Sequence, residues 1–265
     1  MSTGIERIAA AFAAARADGR AALMPYLMGG FPDMATSRAI GEAYADGGAD
    51  LVELGVPFSD PLADGPVIQA AGSAALAAGS TVAAVLDVGQ ALSERLPVVL
   101  MCYANLVLAR GVDVFVGELA AHGISGLIVP DLPLEESPTV LAACDAAGVA
   151  LVPLVAPTTP DDRLGTIGAQ ARGFVYTVSV VGTTGERTGD GSHFAEILTR
   201  VKGHTAVPVA LGFGIATPDQ AAAAAGAGAD GVIVGTRLVR AAAESDDPAQ
   251  ATRSIVDGLA AGLRA

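Results

Sequence analysis

Two carboxylates, Glu53 and Asp64, stand close together in unlike surroundings. Glu53 lies at the end of the apolar run Asp50-Leu-Val-Glu-Leu-Gly-Val, which reads as a strand. Asp64 follows in Pro57-Phe-Ser-Asp-Pro-Leu-Ala-Asp-Gly-Pro, a loop braced by prolines. A carboxyl group inside an apolar strand must find a hydrogen bond, an opposite charge or a raised pKa. One acid on a rigid strand and another on a loop can serve as a general acid and a general base. Each residue also has a plainer reading: Glu53 paired with a donor lining the core, and Asp60 and Asp64 as turn formers beside Pro61 and Gly65.

A second constellation is rich in glycine. In Gly212-Phe-Gly-Ile-Ala-Thr-Pro-Asp-Gln, Thr217 is suited to cap a helix, Pro218 to occupy its first position and Gln220 to complete a capping box. Gly235-Thr236-Arg237 opens another helix, and Val181-Gly-Thr-Thr-Gly-Glu-Arg-Thr-Gly forms a third loop of glycines and hydroxyls. Backbone N–H groups at such helix starts suit a phosphate, and the third loop could close over a ligand or simply be a surface loop. Arg237 opposes the dipole of its helix and reads as solvated. Tyr26, Tyr176 and Phe213 could line a pocket for a flat apolar ligand or pack in the core. His122, His193 and His204 lack the spacing of metal ligands or of a nucleophile's partner, so no metal site is expected.

The elements that must position these residues alternate regularly. Strand candidates are 22–28, 50–54, 98–102, 125–129, 150–154, 173–178, 207–211 and 230–234, separated by helical patterns such as Met34–Asp46, Thr81–Arg95 and Pro218–Gly226. Repeated strand–helix units imply a parallel sheet, and eight of them imply a closed barrel, whose loops after the strands share one face. The turn Met28-Gly-Gly-Phe-Pro lacks the glycine spacing of a dinucleotide-binding sheet. The reading is therefore one α/β barrel domain over 1–265, preceded by an amphipathic helix within Met1–Arg20.

With 265 residues of which 52% are hydrophobic, the chain can bury a large core. A formal charge of −13 argues against binding to nucleic acid or to an anionic membrane surface. The longest apolar runs, Val98–Cys102 and Val149–Ala156, fall far short of the roughly 20 residues that span a bilayer. A cytoplasmic protein is expected. Cys102 and Cys144 have no redox or metal spacing and read as buried thiols.

The segment Leu54-Gly-Val-Pro-Phe-Ser-Asp-Pro-Leu-Ala-Asp-Gly-Pro, preceded by Glu53, resembles the signature of the tryptophan synthase alpha subunit family. The likeness extends to Tyr103-Ala-Asn-Leu-Val, Asp131-Leu-Pro-Leu-Glu-Glu, Tyr176, Gly212-Phe-Gly-Ile and Gly235. It implies a TIM (β/α)8 barrel that cleaves indole-3-glycerol phosphate to indole and glyceraldehyde 3-phosphate. It further implies a beta subunit partner, in an alpha2beta2 assembly, that holds pyridoxal phosphate, while this chain needs no cofactor of its own.

By the same resemblance, Glu53 donates a proton to indole C3 and later accepts one from the adjacent hydroxyl, and Asp64 holds the ring N–H. Tyr176 orients Glu53. The phosphate falls to Thr184, Gly185, Gly214, Gly235 and Thr236, and the indole to Tyr26, Ile68, Met101, Ile128 and Phe213. Loop 56–66, with Pro57 and Asp60, and the Asp131 loop would face the beta subunit. Thr236 stands where the family commonly has serine, Tyr26 where some members have phenylalanine, and Ser179-Val-Val-Gly-Thr-Thr-Gly is a variant of the lid pattern. A sugar-phosphate isomerase or epimerase barrel, or a module that mainly activates a partner, are the competing functions.

Overall fold

The computed structural model describes residues 2–178, 194–212 and 214–264. Its strands are β1 (Ala22–Met28), β2 (Val52–Gly55), β3 (Val98–Met101), β4 (Gly126–Ile128), β5 (Ala150–Leu151), β6 (Leu154–Val155), β7 (Val175–Val178), β8 (Val209–Gly212) and β9 (Gly231–Val234). The α-helices are α1 (Gly4–Ala17), α2 (Met34–Asp46), α3 (Pro66–Ala77), α4 (Val82–Ser93), α5 (Ala104–Arg110) and α6 (Val112–Ala121). They continue as α7 (Pro138–Ala147), α8 (Asp161–Gln170), α9 (Phe194–Lys202), α10 (Pro218–Gly226), α11 (Thr236–Glu244) and α12 (Pro248–Gly262).

Every paired strand is parallel, in the order β5-β4-β3-β2-β1-β9-β8-β7-β6. The two ends of that order, β5 and β6, are separated in the chain only by Val152-Pro153. The expected strand 150–154 is thus divided, because Pro153 has no N–H to give to a ladder. Its two halves join the ends of the sheet. Val152 N donates to Leu127 O at 2.9 Å on the β4 side, and Tyr176 N donates to Pro153 O at 2.9 Å on the β7 side. The ring is therefore a closed barrel of eight strand positions, as the alternation of elements implies.

Side-chain alternation divides the apolar residues into two cores. Leu23, Leu27, Val52, Leu54, Val98 and Leu100 point outward and pack under the helices. Met24, Val99, Ile128, Val152, Ala210 and Ile233 point inward and fill the barrel. The helix expected before the barrel is α1, and it closes the end where the strands begin. Thr3 and Glu6 form its capping box. Phe12 packs on Phe174 with ring centroids 5.5 Å apart, and Arg7 donates to the carbonyls of Gly123, Ser93 and Leu96. At this same end Asp50 takes a two-pronged pair from Arg20, at 2.6 and 2.8 Å, and a hydrogen bond from Leu23 N at 2.8 Å.

Cys102 and Cys144 are both buried and free, as expected. Among the described residues no single helix is long and apolar enough to cross a membrane.

Candidate active site

Glu53 is the second of the four residues of β2 rather than its last, and its register partners are Tyr26 on β1 and Val99 on β3. The parity that turns Leu54 outward turns Glu53 into the barrel, where only 4% of it is exposed. Of the three fates open to a carboxyl group there, the structure shows a raised pKa. Burial, and then the negative charge of Asp64, push it up to about 8. Asp64 is not a surface turn residue: only 5% of it is exposed, whereas Asp60 is exposed and accepts a 2.5 Å hydrogen bond from Ser59 Oγ. Burial pushes Asp64 up to about 6, against the lowering effect of a hydrogen bond from the Tyr103 hydroxyl. Near neutrality, Glu53 holds its proton while Asp64 is mostly ionised. Two carboxyl groups in one pocket are thereby held in different protonation states.

Tyr26 rises from β1 and Tyr176 from β7. Both phenols are buried, which raises their pKa well above the ordinary value, with the charge of Glu53 adding to each. Both remain neutral hydroxyls at any physiological pH. Two strand glycines make room for them. A Cβ on Gly55 would lie 2.6 Å from Tyr26 Cζ and overlap its hydroxyl, and one on Gly212 would lie 2.6 Å from Tyr176 Oη.

These residues line one pocket with Ile68, Met101, Ile128, Gly214, Gly235 and Thr236, so ten of the sequence-derived positions converge. Thr184, Gly185 and Phe213, together with His193 and the rest of the loop 179–191, lie outside the described residues. The pocket also includes Ala63, Pro130, Leu154, Ile215 and Ile233, which sequence reasoning missed. Leu154 and Ile233 share the inward parity of Val152 and Gly231, the one signal that could have found them. Tyr103 was also missed as a site residue, although it follows Val99 and Met101 on the same inward parity.

At the glycine-rich end the two helix starts differ. Thr217 and Gln220 form the expected capping box on α10, and Gln220 Oε1 accepts from Ala216 N at 2.8 Å and Thr217 N at 3.2 Å. Within its first turn Gln220 N donates to Thr217 Oγ at 3.2 Å. Gly235 caps α11 without a side chain, and Gly235 and Thr236 at its start line the pocket, where the positive end of the helix dipole suits an anion. No Lys, Arg or His is among the described residues lining it. Arg237 is half-buried instead of fully solvated. His122 and His204 are half-buried beside helix ends and outside this pocket. Among the described residues no group of three or more His, Cys, Asp or Glu could hold a metal ion.

The arrangement suits a flat apolar molecule held between apolar walls, met by a protonated acid and an ionised one, with an anion at the start of α11. The family model described as tryptophan synthase alpha chain matches residues 12–260. The tryptophan synthase alpha chain of Gloeobacter violaceus is 48% identical over 88% of this chain and 86% of its own. That of Synechococcus elongatus is 48% identical over 86% of each. Among solved structures, Mycobacterium tuberculosis tryptophan synthase matches with a TM-score of 0.92 at 40% identity, covering 100% of both chains. Tryptophan synthase subunit alpha from Legionella pneumophila matches at 0.89 and 33% identity, over 97% of this chain and 98% of its own. Sequence and three-dimensional likeness agree along nearly the whole length, and the chain belongs to the tryptophan synthase alpha chain family.

Proposed function

We propose that this chain, read as one barrel domain over 1–265, uses Glu53 and Asp64 to carry out the alpha reaction of its family. That reaction is the retro-aldol cleavage of indole-3-glycerol phosphate to indole and glyceraldehyde 3-phosphate. The observation that carries the reading is the pair of buried acids in one pocket, one protonated and one ionised near neutrality. Glu53 gives its proton to indole C3, which makes the ring a better electron acceptor. As positive charge builds on the ring, the ionised Asp64 accepts a hydrogen bond from its N–H. The side-chain hydroxyl then returns a proton to the Glu53 carboxylate, a C=O forms, and the electrons of the breaking carbon–carbon bond pass into the ring. One proton leaves Glu53 and one comes back, so the acid is regenerated.

Tyr176, a neutral phenol in the field of Glu53, orients that carboxyl group. Tyr26, Ile68, Met101 and Ile128 enclose the ring, with Phe213 assigned to the same wall. Gly214, Gly235 and Thr236 receive the phosphate, with Thr184 and Gly185 assigned to the same end. The family's partner is the beta subunit, to which pyridoxal phosphate belongs; this chain's residues need no cofactor for the steps above.

Contact with that partner through loop 56–66 and the Asp131 loop, in an alpha2beta2 assembly, is supported by exposed apolar residues. Leu62 on the first loop is 77% exposed. Leu108 on α5 is 60% exposed, and the start of α5 is held by Asp131 through a 2.8 Å bond from Ala104 N. The test is indole release from indole-3-glycerol phosphate by purified protein, alone and with a beta subunit. Slow release alone and faster release with the partner is expected. Folded protein that releases none under either condition would overturn the reading.

A further inference from the structure

We propose that Tyr103 is the positioning residue that fastens the Pro57–Pro66 loop so that Asp64 stands over the substrate, a proposal that rests on the role given to Asp64 above. Tyr103 follows β3, caps α5 and is 1% exposed. It grips the loop at Phe58 and Ala63 and acts on Asp64. Its ring stacks on Phe58 with centroids 5.2 Å apart and planes 23° from parallel. Its hydroxyl oxygen accepts from Ala63 N at 3.0 Å, which leaves its own proton for the neighbouring Asp64 carboxylate, whose pKa the phenol lowers. The remaining tie, Gln69 Nε2 to Asp64 O at 2.7 Å, holds the backbone and not the carboxylate.

The direction of that hydrogen bond is decided by counting. A phenol has one hydrogen, and with Ala63 N–H already pointing at the oxygen, the hydroxyl can only donate to Asp64. Donation to an ionised oxygen is the strong form of the bond, so the same contact that places Asp64 favours its charged state. The other titratable groups around it work the opposite way or not at all. Glu53 on β2 shares the pocket as a second acid, Tyr26 on β1 is a neutral phenol, Asp131 faces Tyr103 from the β4 side, and no described cation lines the cavity. The alternative is a Tyr103 that matters only as packing against Phe58, and the two readings part on the hydroxyl.

The experiment compares wild type, Tyr103→Phe and Phe58→Leu in indole release across pH, with the Asp64 carboxyl titrated by NMR in the free proteins. Removing the hydroxyl should lower kcat by about tenfold, the scale of one hydrogen bond to a charged group. The acid limb of kcat/KM and the Asp64 titration should both move to higher pH. Phe58→Leu keeps the hydroxyl and should leave both in place. A limb and an NMR midpoint that stay fixed in Tyr103→Phe, or that move equally in Phe58→Leu, would overturn the proposal while an active wild type upholds the function. Wild-type protein that releases no indole would remove the function and this proposal together.

Discussion

Asp64 helps keep Glu53 protonated: the two acids share a pocket, and the charge of Asp64 adds to burial in raising Glu53 to about 8. Activity then needs Asp64 ionised, above about 6, and Glu53 protonated, below about 8. The rate of indole release should trace a bell whose limbs belong to the coupled pair. Glu53→Gln should abolish turnover while substrate binding persists; a wild-type rate in that variant would make Glu53 structural.

The two aspartates of the loop should separate cleanly. Asp64→Asn should lower kcat by roughly 10²–10⁴-fold, the range of a positioned acid or base. Asp60→Asn, at an exposed position bonded to Ser59, should leave the isolated protein's kcat within about twofold. Equal losses in steady-state assays without the beta subunit would remove the special role of Asp64.

Stability should depend on pH through the same acid. The folded pKa of Glu53, about 8, lies above its ordinary 4.5, so between those values the folded state binds more protons than the unfolded one. Stability must fall as pH rises through that window. Glu53→Gln removes the effect, so its advantage over wild type in denaturant melts should grow from little near pH 5 to a few kcal/mol above pH 8. A difference that is flat with pH would show that the carboxyl group is not buried as described.

Gly55→Ala and Gly212→Ala should damage site and fold together, because each new methyl group meets a phenol that is itself packed. Overpacking of this kind costs about 1–3 kcal/mol. A lower melting midpoint with a raised KM is the expected result. Gly117, which has open space where a Cβ would stand, is the control and should tolerate alanine.

At the opposite end of the barrel the expectations reverse. Asp50→Ala strips the nearly buried Arg20 of a two-pronged partner and Leu23 N of its acceptor. It should destabilise by about 3–5 kcal/mol without changing kcat in protein that remains folded, as thermal melts and single-temperature assays would show. A selective loss of kcat would mean that the two ends are coupled.

Much of this was legible in the residues themselves. Alternating apolar runs and helical patterns imply the barrel, and an acid inside Leu51–Val56 marks the site, because burial of a charge leaves a visible exception in a periodic pattern. The break at Val152-Pro153 was less legible, since hydrophobicity runs through it and only the missing N–H interrupts the ladder. The role of Tyr103 was hidden for a different reason. Its partners Phe58, Ala63 and Asp64 are remote in sequence, and a tyrosine after a strand looks the same whether it packs or grips. By contrast, Thr217-Pro-Asp-Gln identifies a helix start correctly, and the capping box forms as its residue types imply, with Thr217 Oγ accepting from Gln220 N at 3.2 Å.

The bare start of α11 bears on how this protein can change. Anion recognition by main-chain amides belongs to no particular side chain, so replacing one residue type by another there, serine by threonine included, leaves the donors where they were. On the function proposed above, substitutions that reshape the ring pocket can therefore accumulate without loosening the phosphate end. A barrel that anchored its substrate as proposed would offer a fixed handle for the substrate's tail, against which new head groups could be tried one mutation at a time.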